Sequence, residues 1–354
     1  MTAARRPRRA PLSCAVTAIT GLLGCGGDAP APGELGPRVV PALTAALAAA
    51  EASQAPWRCG ALDRDALPPA GPLGASAMGW EVVERTLRGP ATAPSTIAFV
   101  GDAAAAAPAT VDAAIQLRGQ LEAAGVDLVV VVGGMGDESD ELVEILAPLA
   151  RGAPWPTVSI PGARASAPVH AEAVAALRAD GVAIVDGGQV RFVELTDVTV
   201  ATLPGLAAVG QLAAGVDGCG HADDDLAALR AAWPGPAERA AVLAGIRAPR
   251  APSNRGVGGV QAGDRALAKE LARPGGRALD AYVHPSLDGR PAAPGRRARA
   301  DDAPPASIAV GPLDAEPALD LAGGRITPSA MLLEVTDDGL RWRPVTPPPA
   351  PGSP

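Results

Sequence analysis

Few side chains in this sequence could do polar chemistry, and their spacing limits what that chemistry is. The three histidines are His170, His221 and His284. No two share the spacing that would present paired imidazoles to a zinc ion from one helix. No Gly-x-Ser-x-Gly elbow offers a serine nucleophile. Asp102 directly follows the apolar run Ile97-Ala98-Phe99-Val100-Gly101, and His284 closes the run from Leu279 to Val283. The carboxyl ends of such strands are where α/β proteins place ligands. His284 is therefore the best functional candidate of the three, with a structural, loop-bonded histidine an equal reading. A single hard cation such as Mg²⁺ or Ca²⁺ on Asp102, Asp137 and Asp288 is the metal chemistry these carboxylates could support. Asp137 reads first as an acid opening a helix, where a negative charge is favoured.

Other constellations read as structure. His221 stands near Asp223, Asp224 and Asp225. That group could hold a surface metal, but an acidic run of this kind more simply starts a helix. His170 is expected, solvated, in the first turn of a helix. Gly134-Met135-Gly136-Asp137-Glu138-Ser139 approaches a dinucleotide fingerprint, but the third glycine is Ser139. Asp137, Glu138, Asp140 and Glu141 would also repel a pyrophosphate there.

The elements that would position these residues follow from periodicity. Strands are expected at Thr96–Val100, Asp127–Val132, Thr157–Ile160, Ala240–Ile246 and Leu279–Val283. The β-branched run from Asp127 to Val132 is typical of a strand buried on both faces. Three more, Val182–Val185, Gln189–Leu195 and Val198–Leu203, have the spacing of a meander. Helices are expected at Val40–Gln54, Thr110–Ala124, Glu138–Ala150, Pro168–Ala179, Asp223–Ala232 and Gly263–Ala272. Ser329–Val335 and Leu340–Pro344 flank Asp338-Gly339, a hairpin signal. Asn254–Gly259 and the stretch from Arg290 to Pro305 read as loops, the latter mobile. Strand–helix alternation followed by meanders predicts an α/β sandwich of mixed sheets flanked by helices, in a single domain.

The amino terminus carries a different message. Arg5, Arg6, Arg8 and Arg9 precede an apolar stretch from Ala10 to Gly24, too short to span a bilayer at about 20 residues. The layout is that of a secretory signal peptide. It ends Leu22-Leu23-Gly24-Cys25, which resembles a lipobox whose cysteine takes a lipid and becomes the new first residue. The expected organisation is a signal peptide over 1–24 and a lipidated tether with a short helix over 25–56. A folded domain over 57–344 and a Pro-rich tail over 345–354 complete it. The expected location is the bacterial cell envelope, with the outer membrane favoured by Gly26 after the cysteine. With Cys14 in the signal and Cys25 lipidated, Cys59 and Cys219 remain in an oxidising compartment. They are expected to pair as a disulfide.

Composition narrows the partners. The chain of 354 residues has a net charge of −8, and removing the four signal arginines gives −8 − 4 = −12. A surface that acidic repels nucleic acid. Only 2% of residues are aromatic, so the core must be built from Ala, Val and Leu. The expected partners are the membrane through Cys25 and an envelope protein or small ligand.

From Ser95 to Pro344 the order of elements resembles the calcineurin-like metallophosphoesterases. The matching pieces are Ile97–Asp102, Asp127–Gly133, Val158–Gly162, Gly181-Val182 leading to Thr202–Gly205, and Met331–Val335 with Gly339–Trp342. In that family, loops after the strands carry Asp-x-His, Gly-Asp, Gly-Asn-His and Gly-His-x-His, which bind two metal ions. Here the first reads Asp102-Ala103-Ala104, the second Gly133-Gly134 and the third Gly162-Ala163-Arg164. In the last, Val283–Asp288, Ser286 and Asp288 stand where the two histidines belong, with His284 out of register. Two divalent ions about 3.5–4 Å apart repel by about 15–20 kcal/mol at an effective dielectric near 20. Asp102 with Asp288 cannot offset that. The resemblance thus implies a degenerate, non-catalytic member with no cofactor. The alternative is a phosphoesterase with a rebuilt or single-metal site using Mn, Mg, Fe or Zn. Arg164, at a lost histidine position, could replace a metal's charge and bind an anion, or lie on the surface.

Overall fold

The computed structural model describes residue 55 and residues 57–348, except 65, 66, 75, 76, 78, 92, 104, 163, 207–217, 251–262, 273–277, 299–303 and 315–325. The signal peptide, Cys25, the tether and its helix, and the loop at Asn254–Gly259 lie outside the described residues. Ala104 and Ala163 do so as well.

Fifteen strands are described. The first seven are β1 (Gly71–Pro72), β2 (Glu81–Val83), β3 (Thr86–Arg88), β4 (Thr96–Val100), β5 (Leu128–Val131), β6 (Thr157–Ser159) and β7 (Ile184–Asp186). Next come β8 (Phe192–Glu194), β9 (Val198–Leu203), β10 (Ala240–Gly245) and β11 (Ala281–Pro285). The last are β12 (Gly295–Ala298), β13 (Ala306–Val310), β14 (Ala330–Thr336) and β15 (Gly339–Val345). The described helices are α1 (Pro108–Ala123), α2 (Ser139–Ala150), α3 (Ala167–Ala179), α4 (Asp223–Ala231) and α5 (Arg265–Leu271).

The strands form two mixed sheets. One runs β1-β2-β3-β8-β9-β10-β11-β13, the other β12-β15-β14-β4-β5-β6-β7. Strand alternation sorts their side chains into layers. Ile97 and Phe99 of β4 meet Val200, Val242 and Val283 of the opposite sheet in the central core. Ala98 and Val100 point the other way, under Leu117 and Leu121 of α1 and Leu142, Ile145 and Leu146 of α2. On the far side Leu226 and Leu229 of α4 and Leu267 of α5 cover Ala241, Leu243 and Tyr282. The result is helix, sheet, sheet, helix, built on aliphatic residues as the scarcity of aromatics requires.

Three expectations need correction. Val182–Val185 does not join a meander: β7 pairs parallel with β6, while β8 and β9 pair antiparallel in the other sheet. The chain crosses between sheets there, and spacing alone does not record which sheet a strand joins. The stretch from Arg290 to Pro305 is not all loop, because β12 pairs antiparallel with β15 along Gly295–Ala298. His170 is not solvated; it is 3% exposed on the buried face of α3 with Ala173, Val174 and Leu177.

Cys59 and Cys219 form the expected disulfide, 160 residues apart in sequence with Cα atoms 5.4 Å apart. The bond fastens the segment before β1 to the loop before α4. Beneath that segment lies Arg191, fully buried, whose Nε and Nη2 donate to Thr202 O and whose Nη1 donates to Gly60 O at 2.6 Å. Burial pushes its guanidinium down to about 9, opposed by the field of Asp225.

Candidate functional site

The loops after β4, β5 and β6 meet at one end of the sandwich. β4 and β5 pair in parallel, so their carboxyl ends leave side by side. A backbone bridge continues between Ala103 and Met135, with Ala103 N–H donating to Gly134 O and Gly136 N–H to Ala103 O. Glu141, in the first turn of α2, ties the same loops by accepting from Ala106 N–H at 3.1 Å and Asp137 N–H at 2.8 Å. Those backbone donors, Asp137 first, hold its carboxyl below the usual range.

Asp102 sits in the middle of this junction. Its Oδ1 accepts from Gly134 N–H at 2.6 Å. Burial pushes its carboxyl up to about 6; Asp314 adds to that rise, while the Gly134 N–H and Arg164 work against it. The adjoining glycines leave no room for side chains. A Cβ on Gly133, whose φ is +123°, would strike Asp102 Oδ1. A Cβ on Gly134 would lie 2.7 Å from Arg164 Cγ and 2.9 Å from Arg164 Cδ. The stem of Arg164 thus fills the volume in front of Gly134. Its Nε reaches Asp137 Oδ1 at 3.2 Å, an ion pair between half-exposed side chains.

Three of the five candidate residues, Asp102, Asp137 and Arg164, therefore come together. The other two are engaged elsewhere. His284 is 1% exposed and stacks on Tyr282 at 5.6 Å, on the helix-covered face of its sheet. Its Nε2 lies 2.9 Å from Ser307 Oγ and its Nδ1 2.8 Å from Pro285 O. Burial pushes it down to about 4, so it is a neutral structural imidazole at physiological pH. Asp288 accepts from Ser286 Oγ and from Arg290 N–H in a tight turn. His221 is buried, with Nδ1 3.2 Å from Pro204 O, while Asp225 accepts from Ala222 N–H at the start of α4. The acidic run is thus a helix start rather than a metal cluster.

The donor set does not fit a pair of metal ions. Asp102 is already bonded to a backbone N–H, Asp137 is paired with Arg164, and the Arg164 stem is laid over the position where the resemblance would put a bridging carboxylate. Among the described residues no group of three His, Cys, Asp or Glu could hold a metal ion.

One constellation escaped the sequence reading. Ser159 Oγ lies 2.9 Å from His170 Nε2, and His170 Nδ1 lies 3.5 Å from Asp186 Oδ1. The order is that of a serine hydrolase triad, but Ser159 is 1% exposed beneath α3, so no substrate reaches it. The set joins β6, α3 and β7 as an internal polar link. The helical spacing of His170 with Ala173, Val174 and Leu177 was the signal that could have found its burial.

Two mixed sheets face to face, helices outside both, and loops converging after β4, β5 and β6 are consistent with a metallophosphoesterase-like fold. No family model matches the sequence, and no curated protein matches it. Among solved structures, TT1561 of Thermus thermophilus aligns with a TM-score of 0.49 and 14% identity, over 72% of this chain and 100% of its own. GAP50, described as the anchor in the inner membrane complex of Plasmodium, aligns with a TM-score of 0.45 and 11% identity, over 72% of this chain and 85% of its own. Alignments this loose leave the fold class resting on the order of layers and strands.

Proposed function

We propose that this chain is an exported, lipid-anchored envelope protein whose metallophosphoesterase-like domain is a non-catalytic binding or scaffold module. The observation that carries the reading is the Arg164 stem over Gly134. A family member that activates water between two cations needs a bridging carboxylate there. Here a cation-bearing side chain takes that space and is itself neutralised by Asp137. Function belongs to sites rather than folds, and the strands that make this fold do not depend on the missing ligands.

The disulfide accords with export. No helix among the described residues is long and apolar enough to cross a membrane, so the reading assigns attachment to a lipid on Cys25. Its partners are then the membrane and an envelope protein or small ligand. Nucleic acid is disfavoured by the acidic surface.

The test is to purify the protein without chelators, measure bound metal, and assay phosphomonoesters and phosphodiesters with added Mn²⁺, Mg²⁺ and Zn²⁺. The expected result is substoichiometric metal and no turnover above background. Two stoichiometric metals, or turnover abolished by Asp102→Ala, would restore the hydrolase. For the anchor, Cys25→Ala should move the protein from the membrane fraction to the soluble fraction or leave it unprocessed. Unchanged detergent partitioning would refute it.

A further inference from the structure

A concavity lies one strand further along the same end of the sandwich. It encloses about 210 Å³. Its walls include Arg64, Arg85, Pro161, Pro168, Asp186 and Gln189. Arg64 belongs to the segment that the Cys59–Cys219 bond fastens down, and Arg85 to the turn between β2 and β3.

This corner holds four arginines, and one is paired with carboxylates. Arg58 pairs with Asp224 and Asp225 at 2.7 and 2.8 Å. Arg191 is enclosed by carbonyls within reach of the field of Asp225. Arg64 and Arg85 also bond to carbonyls, with fewer of their N–H groups engaged. Arg64 Nη1 donates to Ala55 O and Arg58 O. Arg85 Nη1 donates to Gln189 O, and its Nη2 to Arg64 O. Every one of these acceptors is a backbone carbonyl. A guanidinium has five N–H donors in a planar fork, shaped for two oxygens of an anion. The Nε and Nη2 of Arg64 and the Nε of Arg85 have no partner among the described residues.

Arg64 and Arg85 lie within each other's field. Burial, and then the Arg64 guanidinium, hold Arg85 below the usual arginine range, with Asp63 opposing. Two cations are thus held close together with their repulsion incompletely relieved. Asp186 is the carboxylate of the wall, but its Oδ1 is committed to Gly188 N–H at 2.7 Å and faces His170. Size narrows the ligand further. Pockets for drug-sized ligands run to about 300–1,000 Å³, so this one suits a small acid rather than a nucleotide. Pro161, Ala167, Pro168 and Ala171 line the remaining wall and offer contact to a short carbon skeleton.

We propose that this cavity binds a small oxyanion, the phosphate or carboxylate group of a small molecule, between Arg64 and Arg85. The site is separate from the cleft at Asp102 and Arg164 and does not depend on whether that cleft is catalytic.

The experiment is calorimetric titration of the oxidised full-length protein with inorganic phosphate, with acetate and with chloride at constant ionic strength. Saturable binding of phosphate or acetate, and not of chloride, is expected, and whichever binds identifies the group. Arg64→Gln and Arg85→Gln should each weaken it at least tenfold, while Arg164→Gln leaves it unchanged. In the unaltered protein, titration should shift the Nε–H resonances of Arg64 and Arg85, a readout that survives if a variant fails to fold. No saturable binding of either anion overturns the proposal. So does binding that persists in both variants, or resonance shifts confined to other arginines. Loss of binding in Arg164→Gln alone would move the anion to the degenerate cleft and overturn it too.

Discussion

The Arg164 stem and Gly134 should be energetically coupled, and the coupling can be worked from the structure. All three atoms nearest a Cβ on Gly134 belong to Arg164, at 2.7, 2.9 and 3.5 Å. Carbon atoms rest at about 3.5–4.0 Å, so Gly134→Ala forces the stem back by about 1 Å or out of the cleft. Overpacking of this kind costs about 1–3 kcal/mol. The low end applies because the Arg164 side chain is 41% exposed and its pair with Asp137 is worth less than about 1 kcal/mol. The φ of Gly134 is not among the positive values, so alanine's stiffer unfolded chain returns about 0.4–1 kcal/mol. The net expectation is destabilisation of at most about 1 kcal/mol. In an Arg164→Ala background the clash is gone, and Gly134→Ala should be neutral or slightly stabilising. Urea denaturation of the four proteins gives the cycle, with an interaction energy of about 1–2 kcal/mol. A value below about 0.5 kcal/mol would mean that the stem does not occupy that space, and the case against a bridging carboxylate would lose its main support.

Other expectations are simpler. Replacing Cys59 and Cys219 with serine opens a loop of 160 residues and should cost about 2–5 kcal/mol, read as a lower urea midpoint; an unchanged midpoint would show that the bond bears no part of the stability. Asp102, raised from 3.8 to about 6 in the folded protein, favours folding below about pH 4 and loses that contribution as pH rises through 6. Asp102→Asn should therefore be more stable than the unaltered protein at pH 7.5, by at most about 3 kcal/mol, with the advantage vanishing near pH 4. An advantage independent of pH would contradict the shift. His284, lowered to about 4, works the other way: its contribution is full above about 6.5 and falls as pH drops toward 4. His284→Gln should flatten the acid limb of the stability profile, and an unchanged limb would place that titration elsewhere.

The strands were the most legible part of the sequence, because continuous apolar runs have few other uses. Thr96–Val100 and Val198–Leu203 stand where the runs begin and end. Gly295-Arg296-Arg297-Ala298 carries no alternation; it is a strand because β15 offers it an edge, and that information lies about 45 residues away in sequence. The residues at Gly134 and Arg164 could be compared with the family's pattern one by one, whereas the packing of the Arg164 stem onto Gly134 needed the third dimension. Arg191 had no signal at all, since an arginine on a meander strand is ordinarily a solvated one.

The position of β14 sets a timetable for the growing chain. β14 lies between β15 and β4, pairing Ala330 with Val100 across 330 − 100 = 230 residues. The strand at the centre of that sheet therefore waits for nearly the whole polypeptide before its second neighbour exists. At about 5–20 residues per second, β4 spends roughly 10–50 s with one edge open. During that interval Ile97–Val100 presents unpaired backbone and apolar side chains to whatever is nearby. A chain built this way stays incompletely folded until its carboxyl end arrives. It also makes truncations near Pro344 far more damaging than their distance from the cleft suggests.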